Sequence, residues 1–258
     1  DFVALGALAA TGFGMVQDAL SAENNPAMTV ADKTSSIRIT GYKHWWIGPI
    51  LYVRIDTNHG VSGWGEIKGT DIRVAITLMA SLFELLQDEN PTRIEHLWQK
   101  LYRAHRDIRG GPFMTHVIAG IDIALWDLLG KSLGVPVYQL LGGKYRDTAA
   151  TYTGIGGNGG ALVENAQKAV ADGFQVVKMG LSKGAGTNDV ARVRNVAAGI
   201  VGKGQVMVDS LGAYKLGEAQ HVGAQLDEIP NIAWWEDALA PEDTAGYPTL
   251  SAQMKAPI

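Results

Sequence analysis

The chain has 258 residues, 47% hydrophobic and 19% charged, a composition that fits one large or two smaller globular domains and excludes extended disorder. Its net charge of −4, without a basic stripe, excludes a protein that neutralises a phosphate backbone, so no nucleic-acid partner is expected and a small soluble ligand fits better. With no cysteine, disulfides, thiolate metal sites and cysteine nucleophiles are excluded as well.

Residues 2–16, FVALGALAATGFGMV, carry no charge; fifteen such positions are too few to span a bilayer and about right for the apolar core of a secretory signal. Small residues follow at Ser21 and Ala22, and the opening DFV resembles the tail of a twin-arginine export motif. Residues 1–22 are therefore expected to be the remnant of an export signal on a periplasmic or otherwise exported protein. A buried N-terminal helix in a cytoplasmic protein is the alternative.

From Ser35 the pattern reads as strands: SIRITGYKHWW, then ILYVRIDTN, in which Leu51, Val53 and Ile55 alternate with polar or aromatic neighbours, then VSGWGE after the turn at 58–60. Three helical patterns follow, at 71–88, 91–106 and 113–133, the second opening on Pro91. In that second helix Ile94, Leu97, Trp98, Leu101 and Tyr102 share an apolar face. Strands followed by helices describe a small α+β domain.

Beyond residue 145 the pattern becomes an alternation. Strand-like runs at 149–157, 174–180, 205–210 and 232–237 are separated by helix-like segments at about 161–172, 187–199 and 215–229. From Lys178 to Asp209 is 31 residues and from Asp209 to Glu236 is 27, close to the roughly 30 per unit of an eight-unit βα barrel. Four units, with MKAPI as the opening of a fifth, make half a barrel, and half a barrel leaves an unpaired sheet edge. The chain is thus expected to be a fragment of a longer protein.

Two of the strand-like runs end in an acid, QVMVDS at Asp209 and IAWWED at Glu236. Alone, Asp209 reads as a turn or cap residue and Glu236 as a paired surface acid. Together, on adjacent parallel strands, they converge on one mouth, where they repel unless a cation joins them. Oxygen ligands without His or Cys point to a hard ion, foremost Mg²⁺. A third ligand is expected roughly 25 to 30 residues past Glu236, beyond Ile258.

VIAGIDIALWDLLGKSLGVPVYQLLGG (117–143), GVSGWGE (60–66), GFQVVKMG (173–180), VMVDS (206–210) and WWEDALAPED (234–243) resemble the mandelate racemase/muconate lactonising branch of the enolase superfamily, from about Ser35 to the end of the chain. The resemblance implies an α/β chain: an α+β capping domain over residues 35–145, then the first half of a modified TIM (β/α) barrel over 146–258. It implies Asp209 and Glu236 as the first two of three carboxylate ligands to Mg²⁺, and a homo-oligomer at full length. Enzymes of this kind remove the proton next to a substrate carboxylate, and the bound metal stabilises the resulting enediolate.

Many relatives carry Lys-x-Lys on the second barrel strand, the second lysine acting as base; here the triplet is Lys178-Met179-Gly180. Lys178 matches the first lysine and is the catalytic candidate, with a barrel-mouth lysine paired to an acid as the plain alternative. Gly180 cannot take a proton, and Lys183 in SKGAG would be a base on a loop without fixed approach. Without that lysine the favoured chemistry is dehydration of a sugar acid, of the galactonate type, with the proton-transferring residues outside this chain. Racemisation, epimerisation or cycloisomerisation of another carboxylate, and non-catalytic binding of a sugar acid, are the alternatives. His44, Trp45 and Trp46 fall where the family places a loop closing over the substrate and are the substrate-binding candidates. Asp122 and Asp127 read as structural, Glu66 is assigned no chemistry, and GGNGG and SKGAG lack the ending of a phosphate-binding loop.

Overall fold

The computed structural model describes residues 36–181 and 187–258; the expected export segment 1–22 and the run 182–186 with Lys183 lie outside them. The chain divides between Tyr145 and Arg146 into two compact units.

The first unit opens with an antiparallel meander, β1 (Ile39–Ile47), β2 (Ile50–Thr57) and β3 (Ser62–Ile67), in that order across the sheet. Leu51, Val53 and Ile55 of β2 are buried while Tyr52, Arg54 and Asp56 between them are half-buried, which is the period of two that the sequence shows. Helices α1 (Ile72–Phe83), α2 (Ile94–Ala104) and α3 (Pro112–Leu133), with the short α4 (Val137–Leu140), supply the rest of the core. By length and composition α3 is apolar enough to cross a membrane, but here Val117, Ile121, Ala124 and Leu128 are buried in this core.

Two helices are shorter than their patterns. Helix α1 stops at Phe83 rather than 88, because the chain then runs back along β1: Asp88 N–H donates to the Ile39 carbonyl (3.0 Å) and Ile39 N–H to the Glu89 carbonyl (2.9 Å). Helix α2 starts at Ile94 rather than Pro91, because the buried Asn90 side chain accepts from Thr92 N–H (2.9 Å) and Thr92 Oγ1 (2.8 Å) and holds a turn there.

The contact between α3 and β3 explains the two most recognisable stretches of sequence. A methyl group on Gly65 would lie 1.9 Å from the Gly120 carbonyl oxygen, one on Gly63 1.9 Å from the Ala124 carbonyl oxygen, and one on Gly120 2.3 Å from Ile67. Helix and strand backbones touch, and only glycine permits it. Asp127, one turn further along α3, accepts from the Trp64 amide on the edge strand (2.8 Å) and pairs with Lys131 (2.6 Å). It satisfies a backbone donor that the edge of the sheet would otherwise leave to solvent.

A largely buried ion pair joins the α1–α2 connection to α2: Lys100 Nζ lies 2.5 Å from Glu89 Oε1, and His96 Nε2 lies 3.6 Å from Glu89 Oε2. The His96 ring foremost, and then the Lys100 ammonium, hold the Glu89 carboxyl down to about 2, against the opposing effect of burial.

The second unit alternates β4 (Thr153–Gly154), α5 (Gly160–Ala171), β5 (Val176–Gly180), α6 (Thr187–Gly199), β6 (Gln205–Asp209), α7 (Leu216–Leu226), β7 (Ile232–Glu236) and α8 (Gly246–Ser251). Its four strands are parallel and in sequence order, the order of a barrel wall, with none of the reversal of a doubly wound sheet. Val177, Met179, Val206, Val208 and Trp235 pack with Ala166, Val193, Val196 and Leu226 of the helices. Trp235 N–H donates to the Pro257 carbonyl (2.9 Å), so residue 257 already lies beside β7 where a fifth strand would run.

Substituting Gly65→Ala is expected to destabilise the first unit by about 3 kcal/mol or more. Gly41→Ala, where a methyl group meets nothing within 4 Å, is expected to change stability by less than about 1 kcal/mol. Urea titration of both variants followed by circular dichroism checks the difference, and equal losses would remove the close-approach explanation.

Because Glu89 is held at about 2 against an ordinary 4.5, its contribution is fully present above about pH 4.5 and is lost as pH falls toward 2. That contribution is on the order of 3 kcal/mol. Glu89→Gln should be less stable than the parent at pH 7 and flatter in its melting temperature between pH 4.5 and 2.5. Parallel melting curves for the two proteins would disprove the assignment.

Candidate metal centre

Strand register brings the two sequence-predicted acids together. Asp209 on β6 is directly opposite Glu236 on β7, and Gly180 on β5 is opposite Asp209. These three form a layer at the C-terminal ends of the strands. Lys178, Met207 and Trp234 form the layer beneath it on the same face, opposite the face that carries Val177, Val208 and Trp235 into the helical core.

The alignment of β7 depends on one irregularity. Val206 pairs with Ile232, but Met207 pairs with Trp234, so Ala233 is an extra residue. Without that bulge, Trp235 rather than Glu236 would stand beside Asp209 and the acid would point the other way. The buried Asn231 anchors the start of the strand, donating to the carbonyls of Ala197 (3.0 Å) and Gly204 (3.1 Å).

Asp209 is fixed at both oxygens: Oδ1 accepts from Leu211 N–H at 3.0 Å and Oδ2 lies 2.8 Å from Lys178 Nζ. Glu236 Oε1 lies 2.9 Å from the same ammonium. Asp209, foremost, and Glu236 hold the Lys178 ammonium above the usual lysine range. Lys178 Nζ also lies 5.9 Å from the centre of the Tyr152 ring, which meets Trp234 edge-on.

The backbone around the acids is cross-linked. Ser210 N–H donates to the Glu236 carbonyl (3.0 Å) and Gly212 N–H to the Asp237 carbonyl (2.7 Å). Beneath, the buried Trp235 Nε1–H donates to Ser210 Oγ (2.7 Å). Leu211 and Asp237 both take left-handed backbone, at φ 48° and 49°, an arrangement that surrounding structure must enforce in residues other than glycine.

Asp237 is the residue that sequence reasoning missed. One carboxylate oxygen each from Asp209, Glu236 and Asp237 lies within 4.8 Å of the others. The adjacent acids of the WWED run were the available signal, but strand alternation sends neighbours to opposite faces, and only the left-handed turn at Asp237 brings its side chain back. A donor set of carboxylate oxygens fits a hard divalent cation, which these residues are placed to hold.

His44, Trp45 and Trp46 all lie on β1 of the first unit. The segment is strand up to Ile47, followed by a tight turn at Gly48-Pro49, where a substrate-covering loop was expected. Alternation along β1 places His44 and Trp46 on the side of Tyr42, whose ring packs on Phe83 at 4.4 Å. Trp45 faces the opposite way, stacked on Trp64 at 4.9 Å with the Arg54 guanidinium 5.8 Å from both rings. Trp45 therefore stands on one side of β1 and His44 and Trp46 on the other.

A family model described as mandelate racemase / muconate lactonizing enzyme, N-terminal domain, matches residues 47–142, and one described as enolase C-terminal domain-like matches residues 161–258. The D-galactonate dehydratase of Ralstonia nicotianae is 37% identical over 221 residues, which are 81% of this chain and 56% of the relative. That of Ralstonia pickettii is 44% identical over 153 residues, 57% of this chain and 39% of the relative. The chain thus spans about half the length, or less, of these curated relatives. Among solved structures, the 3,6-anhydro-D-galactonate cycloisomerase from Zobellia galactanivorans matches with a TM-score of 0.79 at 29% identity, over 86% of this chain and 64% of that one. With both domain models matched in order and the two-unit fold in agreement, the chain belongs to the mandelate racemase/muconate lactonizing enzyme family of the enolase superfamily.

Proposed function

We propose that this protein is a Mg²⁺-dependent carbon–oxygen lyase that dehydrates a sugar acid, an aldonate of the galactonate type. The observation that carries the reading is the pairing of Asp209 and Glu236 at neighbouring strand ends on one face, in a chain whose curated relatives include D-galactonate dehydratases. When bound, Mg²⁺ supplies the positive charge that stabilises the anion left on a substrate carboxylate as its α-proton is removed.

The chain's own residues divide the remaining work. Asp209 and Glu236 bind the cation, and Asp237 offers a third oxygen within reach. The Leu211 amide fixes one oxygen of Asp209, which leaves the other to aim at the cation. Lys178, which is paired with both acids in the structure, adds positive charge near where a substrate carboxylate would sit. Gly180 brings no base, and a methyl group there would meet nothing within 4 Å among the described residues. The groups that take the α-proton and assist the departing hydroxyl are proposed to belong to the region of the relatives beyond the match. His44, Trp45 and Trp46, all exposed on β1, are the proposed substrate contacts of the first unit.

Cycloisomerisation of a sugar acid is the second reading, favoured by the 29% identity to the Zobellia galactanivorans enzyme. Both readings begin with the same proton and separate at the leaving group.

The test is to offer the purified full-length protein a panel of aldonates and anhydro-aldonates with Mg²⁺ and to identify products by mass spectrometry. A 2-keto-3-deoxy acid from an aldonate is the expected result, abolished by chelator and restored by Mg²⁺. Asp209→Asn and Glu236→Gln should each lower kcat/KM about a thousandfold or more. Turnover indifferent to chelator and to both substitutions would reject the mechanism, and binding without turnover across the panel would make the protein a sugar-acid receptor.

A further inference from the structure

Lys178 departs two residues before the end of β5, from the layer below the acids, yet its ammonium rises to lie between Asp209 Oδ2 at 2.8 Å and Glu236 Oε1 at 2.9 Å. That is where a cation held by the two acids is called for. We propose that the Lys178 ammonium serves as a stand-in cation, holding Asp209 and Glu236 converged while the metal is away, and that a divalent ion must displace it in order to bind. The inference rests on the reading of these acids as metal ligands and adds what occupies them beforehand.

Three features of the site support an exchange. Asp209 keeps its aim when the ammonium leaves, because Oδ1 is held independently by the Leu211 amide. The ammonium has somewhere to go: among the described residues nothing fills the space at Gly180 next to Asp209, and the Tyr152 ring, already 5.9 Å away, offers its face to a cation. Finally, carboxylates that face each other without a cation repel and splay, so a metal arriving at an empty pair would first have to gather them. An ammonium in place avoids that reorganisation and exchanges it for competition between two cations.

Mn²⁺ binding to the full protein, followed by electron paramagnetic resonance of the free ion, separates this inference from the reading beneath it. Lys178→Met is expected to bind Mn²⁺ about tenfold more tightly than the parent, two ion pairs having been removed from competition. Asp209→Asn should bind at least tenfold more weakly. If Lys178→Met binds no more tightly while Asp209→Asn loses affinity, the stand-in role is overturned and the metal site stands. Should Asp209→Asn bind as well as the parent, or the parent not bind at all, both are overturned.

Because Lys178→Met can fail to fold, a second measurement uses the unaltered protein. Acetic anhydride labelling of each lysine, read by peptide mass spectrometry, should show Lys178 modified several-fold faster with saturating Mn²⁺ than with chelator, other lysines serving as the reference. An unchanged or slower rate at Lys178 would overturn the proposal.

Discussion

Repulsion between two carboxylates at the ends of neighbouring strands is the constraint on which the second unit depends. Parallel pairing of β6 with β7 puts Asp209 beside Glu236 with carboxylate oxygens within 4.8 Å, and two unit charges at that separation near a protein surface repel by about 3 kcal/mol. The fold answers with a cation from a third strand, Lys178, within 3 Å of both. Backbone donors then fix the remaining freedom: Leu211 N–H on one oxygen of Asp209, and Ser210 N–H on the carbonyl of Glu236. What would be a liability in a structural sheet becomes, at a barrel mouth, a cluster of oxygens ready for a metal.

The first unit rests on a different constraint, the contact between the backbones of α3 and β3. Gly63, Gly65 and Gly120 have no side chains because there is no room for any, and Asp127 closes the edge of the same contact by accepting from the Trp64 amide. The stretch of sequence by which the family is most readily recognised therefore encodes packing, whereas the candidate metal centre lies in shorter and less distinctive runs. The recognisable stretch and the candidate site are carried by different residues here, in different units of the chain.

Much of the architecture was legible beforehand because its periods are strong. The two-residue alternation of Leu51, Val53 and Ile55 announces β2, and the spacing of Ile94, Leu97 and Leu101 announces α2. Element ends were less legible, since they depend on partners distant in sequence. Helix α1 stops early because Asp88 and Glu89 pair with Ile39, a contact that no window around residue 85 contains. The facing of the aromatic run at 44–46 is set by strand alternation, which points consecutive residues opposite ways: Trp45 is stacked on Trp64 while His44 and Trp46 stand on the other side.

By itself, the sequence determined which residues would end the strands, since short strand-like runs stop at Lys178-Met179-Gly180, Asp209 and Glu236 at the interval of a βα unit. It also determined the oxygen-only chemistry of the acids, because side-chain identity needs no coordinates. Only the tertiary structure decided which way they point. The extra residue at Ala233 turns Glu236 toward Asp209, the left-handed backbone at Asp237 returns a third carboxylate to the group, and the reach of Lys178 from the layer below joins the first two. The bulge and the reach of Lys178 are relations between strands far apart in sequence, and a side chain's direction is fixed by its partner strand as much as by its own.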